Sequence, residues 1–252
     1  MSKLILTDLD HTLLRSDGTI SDHTLEVLKR YREEGMVFAI ATARYWIGAE
    51  RYIDLLKPDY EITTDGTLIH SKGQCIYSCE FTIEDSNRIV RTLLDLLPEA
   101  EITVACGKTV YWNSKFISSS EKLHKAVYFE YDKDLDLKAN KIVAELPDET
   151  IAREIADLIG CRLQCYRGEK WYSFLPKDSG KTCAIKAMSE LSGIGLKDMV
   201  AFGDDLNDID MLKLCGKGIA VSNAIKEVLD IADDVTLSND EDGVASWIER
   251  NI

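Results

Sequence analysis

The feature that most limits what this chain can fold into lies at residues 3–14, KLILTDLDHTLL, where an apolar run stops abruptly at acid. Leu4, Ile5 and Leu6 give way to Asp8 and Asp10, then to His11 and Thr12. A short apolar run that breaks into polar residues is the pattern of a buried parallel strand carrying side chains to its carboxyl end. In open α/β sheets that end is where ligands bind. If strand geometry continues past Asp8, residues two apart share a face and both carboxylates look into one space. Two like charges so close are costly unless a cation or a proton intervenes. A plain acidic turn would also read Asp-x-Asp, so the pair gains meaning only from the rest of the chain.

The rest repeats the pattern. Ser21 fits an N-cap for a helix carrying Leu25, Leu28 and Tyr31 and ending at Gly35. Residues 36–41 (MVFAIA) form a second apolar run that closes in Thr42-Ala43-Arg44. A helix is expected over 45–57, stopped by Pro58, then a strand over 60–64 and a hairpin pairing 67–69 with 74–78. Strand, helix, strand, helix, strand is the signature of a doubly wound parallel sheet.

Near Glu80 the texture changes. A helix over 83–97 is followed by short apolar runs at 102–105, 109–112, 127–129 and 140–144, a helix from Pro147-Asp148 to Ile159, and runs at 162–166 and 170–175. This reads as a small antiparallel sheet with helices on one side; the stretch 113–137 carries no clear pattern. From Lys177 the α/β alternation resumes, with a helix from Thr182, a strand over 199–202 ending in Gly203-Asp204-Asp205, and a short helix over 207–215. A strand over 218–221, a helix near Asn223, a strand over 234–236 and a final helix through Trp247 complete it. The expected fold is α/β, a doubly wound, Rossmann-like parallel-sheet core (1–79 and 177–252) with an inserted α+β domain (80–176).

Charge and cysteine content narrow the function. A formal charge of −14 lacks the basic stripe of a nucleic-acid binder and would repel anionic membranes, and no apolar stretch is long enough to span one. Seven scattered cysteines, with no secretory pattern at the first residues, suit reduced thiols in a cytoplasmic protein. An acidic protein that handles phosphate must supply positive charge locally, through a metal and a few placed lysines or arginines.

Four motifs stand in one order: Asp8-Leu9-Asp10-His11-Thr12, Ala41-Thr42-Ala43-Arg44, Lys181, and Gly203-Asp204-Asp205-Leu206-Asn207-Asp208. Each sits at a strand end or helix start, and a cap-sized insert separates the second from the third. In this the chain resembles the haloacid-dehalogenase-like hydrolases, specifically the capped Cof-type branch, over essentially its whole length. Neither acidic cluster has EF-hand spacing, and Gly180-Lys181-Thr182 lacks the earlier glycine of a P-loop, Leu175 standing there instead.

The resemblance implies a phosphatase. Asp8 is expected to attack phosphorus and form an aspartyl-phosphate, and Asp10 to act as general acid and then general base. Lys181 would neutralise Asp8 and the phosphoryl group, while Thr42, Ala43, Lys181 and Asn207 would hold the substrate phosphate. Mg²⁺ is the implied cofactor, held by Asp8, the Asp10 carbonyl and Asp204, with Asp208 and Asn207 supporting it and orienting Lys181. Two residues depart from the family pattern, His11 and Ala43, each where glycine is usual. If a φ > 0 turn is needed there, histidine tolerates it less well than glycine. Tyr111, Trp112, Arg162, Arg167, Lys170 and Trp171 are the cap residues that could face the site. The implied partner is a small phosphorylated metabolite, with sugar phosphates favoured; oligomeric state is not specified. A hexose phosphomutase, or a phosphate-binding protein without turnover, are the alternatives.

Overall fold

The computed structural model describes residues 4–117, 123 and 125–252, so part of the unpatterned 113–137 stretch lies outside the described residues. The first strand, β1 (Leu4–Thr7), is fully buried and sits at the centre of the larger sheet. α1 (Asp22–Glu33) follows, capped by Ser21, whose hydroxyl accepts from the Thr24 amide at 3.0 Å. Then come β2 (Val37–Ala41), α2 (Trp46–Leu56), β3 (Tyr60–Thr63) and the hairpin β4 (Leu68–Ser71) and β5 (Gln74–Ser78).

A second set comprises α3 (Ile83–Leu96), β6 (Ile102–Cys106), β7 (Thr109–Trp112), β8 (Val127–Tyr128), β9 (Lys141–Glu145), α4 (Glu149–Ile159), β10 (Arg162–Cys165) and β11 (Trp171–Leu175). The chain then returns through α5 (Lys181–Ser192), β12 (Met199–Gly203), α6 (Ile209–Leu214), β13 (Lys217–Val221), α7 (Lys226–Leu229), β14 (Asp234–Thr236) and α8 (Gly243–Asn251).

Among the described residues the strands form two sheets. The larger runs β14-β13-β12-β1-β2-β3-β4-β5, parallel as far as β3 and antiparallel through the hairpin. Apolar side chains cover both of its faces: Ile5, Phe38 and Phe202 pack under α1, α2 and α8, while Leu4, Leu6 and Ala201 pack under α5 and α6. Two-sided burial explains why these strands read as unbroken apolar runs. The smaller sheet runs β10-β11-β9-β6-β7-β8, with its own core of Ile89, Ile142, Ile155 and Phe174 beneath α3 and α4.

Register positions the site. Thr7 pairs with Ile40 on one side and Phe202 on the other, so β1, β2 and β12 end level with one another. The chain leaves β1 for β2 on one flank and β12 occupies the other, which opens a crevice beyond their carboxyl ends.

Four expectations change in detail. Strand geometry does not continue past Thr7: residues 9–13 form one wide helical turn, with Asp10 extended and His11 left-handed at φ 58°. Asp8 and Asp10 therefore share a cleft because of that turn, not because of strand alternation. The helix expected over 207–215 is a tight turn at Leu206–Asp208 followed by α6. The one expected near Asn223 starts only at Lys226. Finally, the smaller sheet is not wholly antiparallel, since β8 pairs with β7 in parallel.

Candidate active site

A cleft of about 970 Å³ lies between the carboxyl edge of the larger sheet and the smaller sheet. Its floor is the tight contact of Asp8, Lys181 and Asp208. Lys181, at the first position of α5, places Nζ 2.6 Å from Asp8 Oδ1 and 2.6 Å from Asp208 Oδ1. All three side chains are buried. Burial works against the ammonium, but Asp208 and Asp8 outweigh it and raise its pKa, so the lysine stays charged.

The last turn of β12 shapes the other wall. Asp208 turns its second oxygen, Oδ2, back to the amides of Asp204 (3.1 Å) and Asp205 (3.4 Å). This needs Gly203, because a Cβ there would lie 2.5 Å from the Asp208 Cβ. Thr12 donates to Asp204 Oδ1 at 2.7 Å and so joins the turn after β1 to the loop after β12. Asp8, Asp204 and Asp208 each offer an oxygen, all within 4.8 Å of one another.

This cluster holds three carboxylates and a single ammonium. Burial pushes Asp8 well above the ordinary carboxylate range; Lys181 opposes that, and Asp208 and Asp204 add to it. Burial, then Asp208, pushes Asp204 up to about 6. Hard oxygen donors with an excess of negative charge suit a divalent cation, which would offset the burial and the repulsion that together raise both. Of the residues present, Asp8 and Asp204 fit as its carboxylate ligands, since both oxygens of Asp208 are already engaged.

The loop after β2 lines a further part of the cleft. Thr42 Oγ1 accepts from the Arg44 amide at 3.1 Å, which leaves its hydroxyl proton to donate into the cleft. Ala43 lies outside the left-handed region, so no glycine is required there, whereas His11 does occupy a position that favours glycine. Arg44 clasps Asp10 with two bonds, Nε to Oδ2 at 2.7 Å and Nη2 to Oδ1 at 2.5 Å, and is tied to the Gly48 carbonyl through Nη1.

Most of the residues expected at the site line this cleft: Asp8, Asp10, Thr42, Ala43, Asp204 and Asn207, with Lys181 and Asp208 bonded beneath them. Asp208 bonds Lys181, whereas Asn207 lines the cleft and does not bond to the lysine. From the smaller sheet and its loops, Trp112, Arg167 and Trp171 reach the cleft, whereas Tyr111, Arg162 and Lys170 do not line it. Arg162 instead bonds the Ser179 carbonyl at 3.0 Å.

Sequence reasoning gave no role to Arg44, Thr12, Tyr45, Lys141 or Tyr166. Arg44 was visible as the last residue of its motif. A lysine at the start of an apolar run carries no signal that it will be buried.

Residues 5–248 match the family model for haloacid dehalogenase-like hydrolases. An HMP-PP phosphatase of Enterobacter sp. is 28% identical over 242 residues, covering 91% of this chain and 87% of its own length. The 5-amino-6-(5-phospho-D-ribitylamino)uracil phosphatase YitU of Bacillus subtilis is 22% identical, covering 98% of this chain and 96% of its own. Among solved structures, a haloacid dehalogenase-like hydrolase from Bacteroides thetaiotaomicron superposes with a TM-score of 0.84 at 25% identity, covering 100% of both chains.

Proposed function

Because the chain belongs to the haloacid dehalogenase-like hydrolases, we propose that it is a Mg²⁺-dependent phosphatase of small phosphomonoesters, sugar phosphates foremost, working through an aspartyl-phosphate on Asp8. The observation that carries this reading is the Asp8–Lys181–Asp208 contact at the joined ends of β1 and β12. It leaves Asp8 Oδ2 as the oxygen for attack on phosphorus, while Lys181 screens the carboxylate from an incoming dianion. Asp8, Asp204 and the Asp10 carbonyl would hold a divalent ion, which would supply further positive charge to the phosphoryl oxygens. The Thr42 hydroxyl donates to one of those oxygens, beside the Ala43 main chain, and Asn207 lines the same cleft.

Asp10 moves the proton. It protonates the leaving alcohol oxygen, then takes a proton from the water that attacks phosphorus and frees Asp8. In the sequence, the neighbouring carboxylate calls for a cation or a proton. Arg44 changes that account: its fork favours the ionised carboxylate, the form needed in the second step.

Residues 80–176 act as the cap and 1–79 with 177–252 as the core in this reading. The cap presents aromatic faces, Trp112 and Trp171, beside polar groups from Thr103 and Arg167. That mixture suits a polyhydroxylated leaving group, and the relative named for a phosphoribityl compound agrees. All seven cysteines are free thiols, which fits a reducing, cytoplasmic setting, and among the described residues no helix is long and apolar enough to cross a membrane.

The test is phosphate release from p-nitrophenyl phosphate and a sugar-phosphate panel, with Mg²⁺ and with excess chelator, alongside Asp8→Asn. Turnover that needs both Mg²⁺ and Asp8 supports the reading. A folded protein that turns over none of these esters sinks it in favour of a binding protein.

A further inference from the structure

A buried ammonium joins the cap to the core. Lys141, the first residue of β9, places Nζ 2.5 Å from Asp65 Oδ2, 3.0 Å from Tyr166 Oη and 3.1 Å from the Ala43 carbonyl. Tyr166 in turn donates to Asp65 Oδ2 at 2.6 Å. A lysine ammonium has three protons, and here all three are used. The side chains of Lys141 and Asp65 are each only 5% exposed. Lys141 thus lines the cleft without a proton left for substrate, which removes the cap's buried cation as the second phosphate site a mutase would need.

Both core acceptors connect to the reacting groups. Ala43 lies between Thr42 and Arg44, the residues placed at phosphate and at Asp10. Asp65 belongs to the turn Thr64-Asp65-Gly66, whose φ angles are 57°, 56° and 81°. A β-branched threonine in the left-handed region is strained and persists only when its surroundings fix it. They do so on two sides. The Thr64 amide donates to the Arg44 carbonyl at 2.7 Å, and Gly66 packs so closely on Gly180 that a Cβ would lie 2.4 Å from its carbonyl carbon. One strained turn therefore touches the cap lysine, the Asp10-clasping arginine and the start of the Lys181 helix.

A buried ion pair of this kind adds little net stability, since desolvation offsets its attraction, and its best use is to fix one arrangement against others. We propose that Lys141 is a positioning residue: by docking on Asp65 and the Ala43 carbonyl it seats the cap and fixes residues 42–44 in the geometry that phosphoryl transfer requires. Cap closure and assembly of the phosphate loop are then a single event. This rests on the phosphatase reading above.

The test uses Lys141→Met together with the double variant Lys141→Met/Asp65→Asn, which leaves no buried charge unpaired. Four quantities are read in the full chain: kcat, KM, the share of phosphoryl groups passed to added methanol instead of water, and hydrogen exchange at the Thr64 and Arg44 amides. In the methanol reaction the alcohol oxygen bonds to phosphorus, the Asp8–phosphorus bond breaks, and the alcohol proton goes to Asp10. Both variants should lose about tenfold or more in kcat, pass several-fold more phosphate to methanol, and exchange these amides faster. A folded double variant with wild-type kcat, methanol share and exchange would overturn the proposal. So would a lower kcat with methanol share and exchange unchanged. Absence of turnover in the wild-type chain would strike the phosphatase reading alone, because the exchange measurement needs no substrate and still decides whether Lys141 holds the loop.

Discussion

Replacing Gly66 by alanine tests how the site is supported, because it adds one methyl group against the start of α5 and alters no side chain of the acidic cluster. At Gly66 a Cβ would lie 2.4 Å from the Gly180 carbonyl carbon, 2.5 Å from its oxygen and 2.5 Å from the Lys181 amide. Ordinary carbon contacts begin near 3.5 Å, so the two segments must part by about 1 Å. Lys181 bridges Asp8 and Asp208 through two 2.6 Å contacts, and a shift of that size breaks their geometry. A displacement of about 1 Å can cost about 100-fold in rate, or about 2.7 kcal/mol of transition-state stabilisation. Stability should also fall by about 2–5 kcal/mol, from a left-handed alanine plus overpacking. Gly73 provides the control. It has a similar φ of 78° but nothing within 4 Å of its would-be Cβ, so Gly73→Ala carries the backbone cost alone. Steady-state kinetics and thermal melting of both variants decide the matter. A folded Gly66→Ala protein with kcat within about threefold of Gly73→Ala would refute the claim that this contact places Lys181.

His11→Gly should raise the melting temperature by roughly 2–4 °C, because His11 holds φ 58° at a cost that glycine avoids; a lower melting temperature would mean its side chain makes a contact worth more than the strain. The acidic cluster predicts a pH dependence. With Asp204 raised to about 6, the metal-free folded chain holds a proton that the unfolded chain has already lost, so this contribution to stability is present in mild acid and fades as pH rises through about 6. Added Mg²⁺ should therefore raise the melting temperature more at about pH 7.5 than at about pH 5 relative to chelator, and an equal effect at both would contradict the assignment of Asp204 as a ligand.

Much of this architecture is legible in the chain itself. β1, β2 and β12 announce themselves because strands buried on both faces must be apolar throughout, and the polar residues that end them lie at the sheet edge where ligands bind. The position of His11 illustrates how far local reasoning reaches: glycine's usual place there suggested a left-handed turn, and φ is 58°. Other features depend on contacts between residues distant in sequence. Arg44 and Asp10 are separated by 34 positions, Asp65 and Tyr166 by 101, and neither spacing has a periodicity to betray it. Lys141 reads as an ordinary strand-start lysine, and only tertiary packing puts it in a dry seat. The parallel pairing of β8 with β7 is equally invisible, because a two-residue strand has too little pattern to set its direction.

The central claim is that Asp8 carries the phosphoryl group during turnover. The most direct measurement is acid quenching in the steady state with a turned-over ester and Mg²⁺, then proteolysis and mass analysis of the peptide containing Asp8. The account predicts a fraction of that peptide heavier by one phosphoryl group, with the modification on Asp8, absent in chelator and in Asp8→Asn. Rapid turnover with the label on another residue, or full activity in Asp8→Asn, would contradict it.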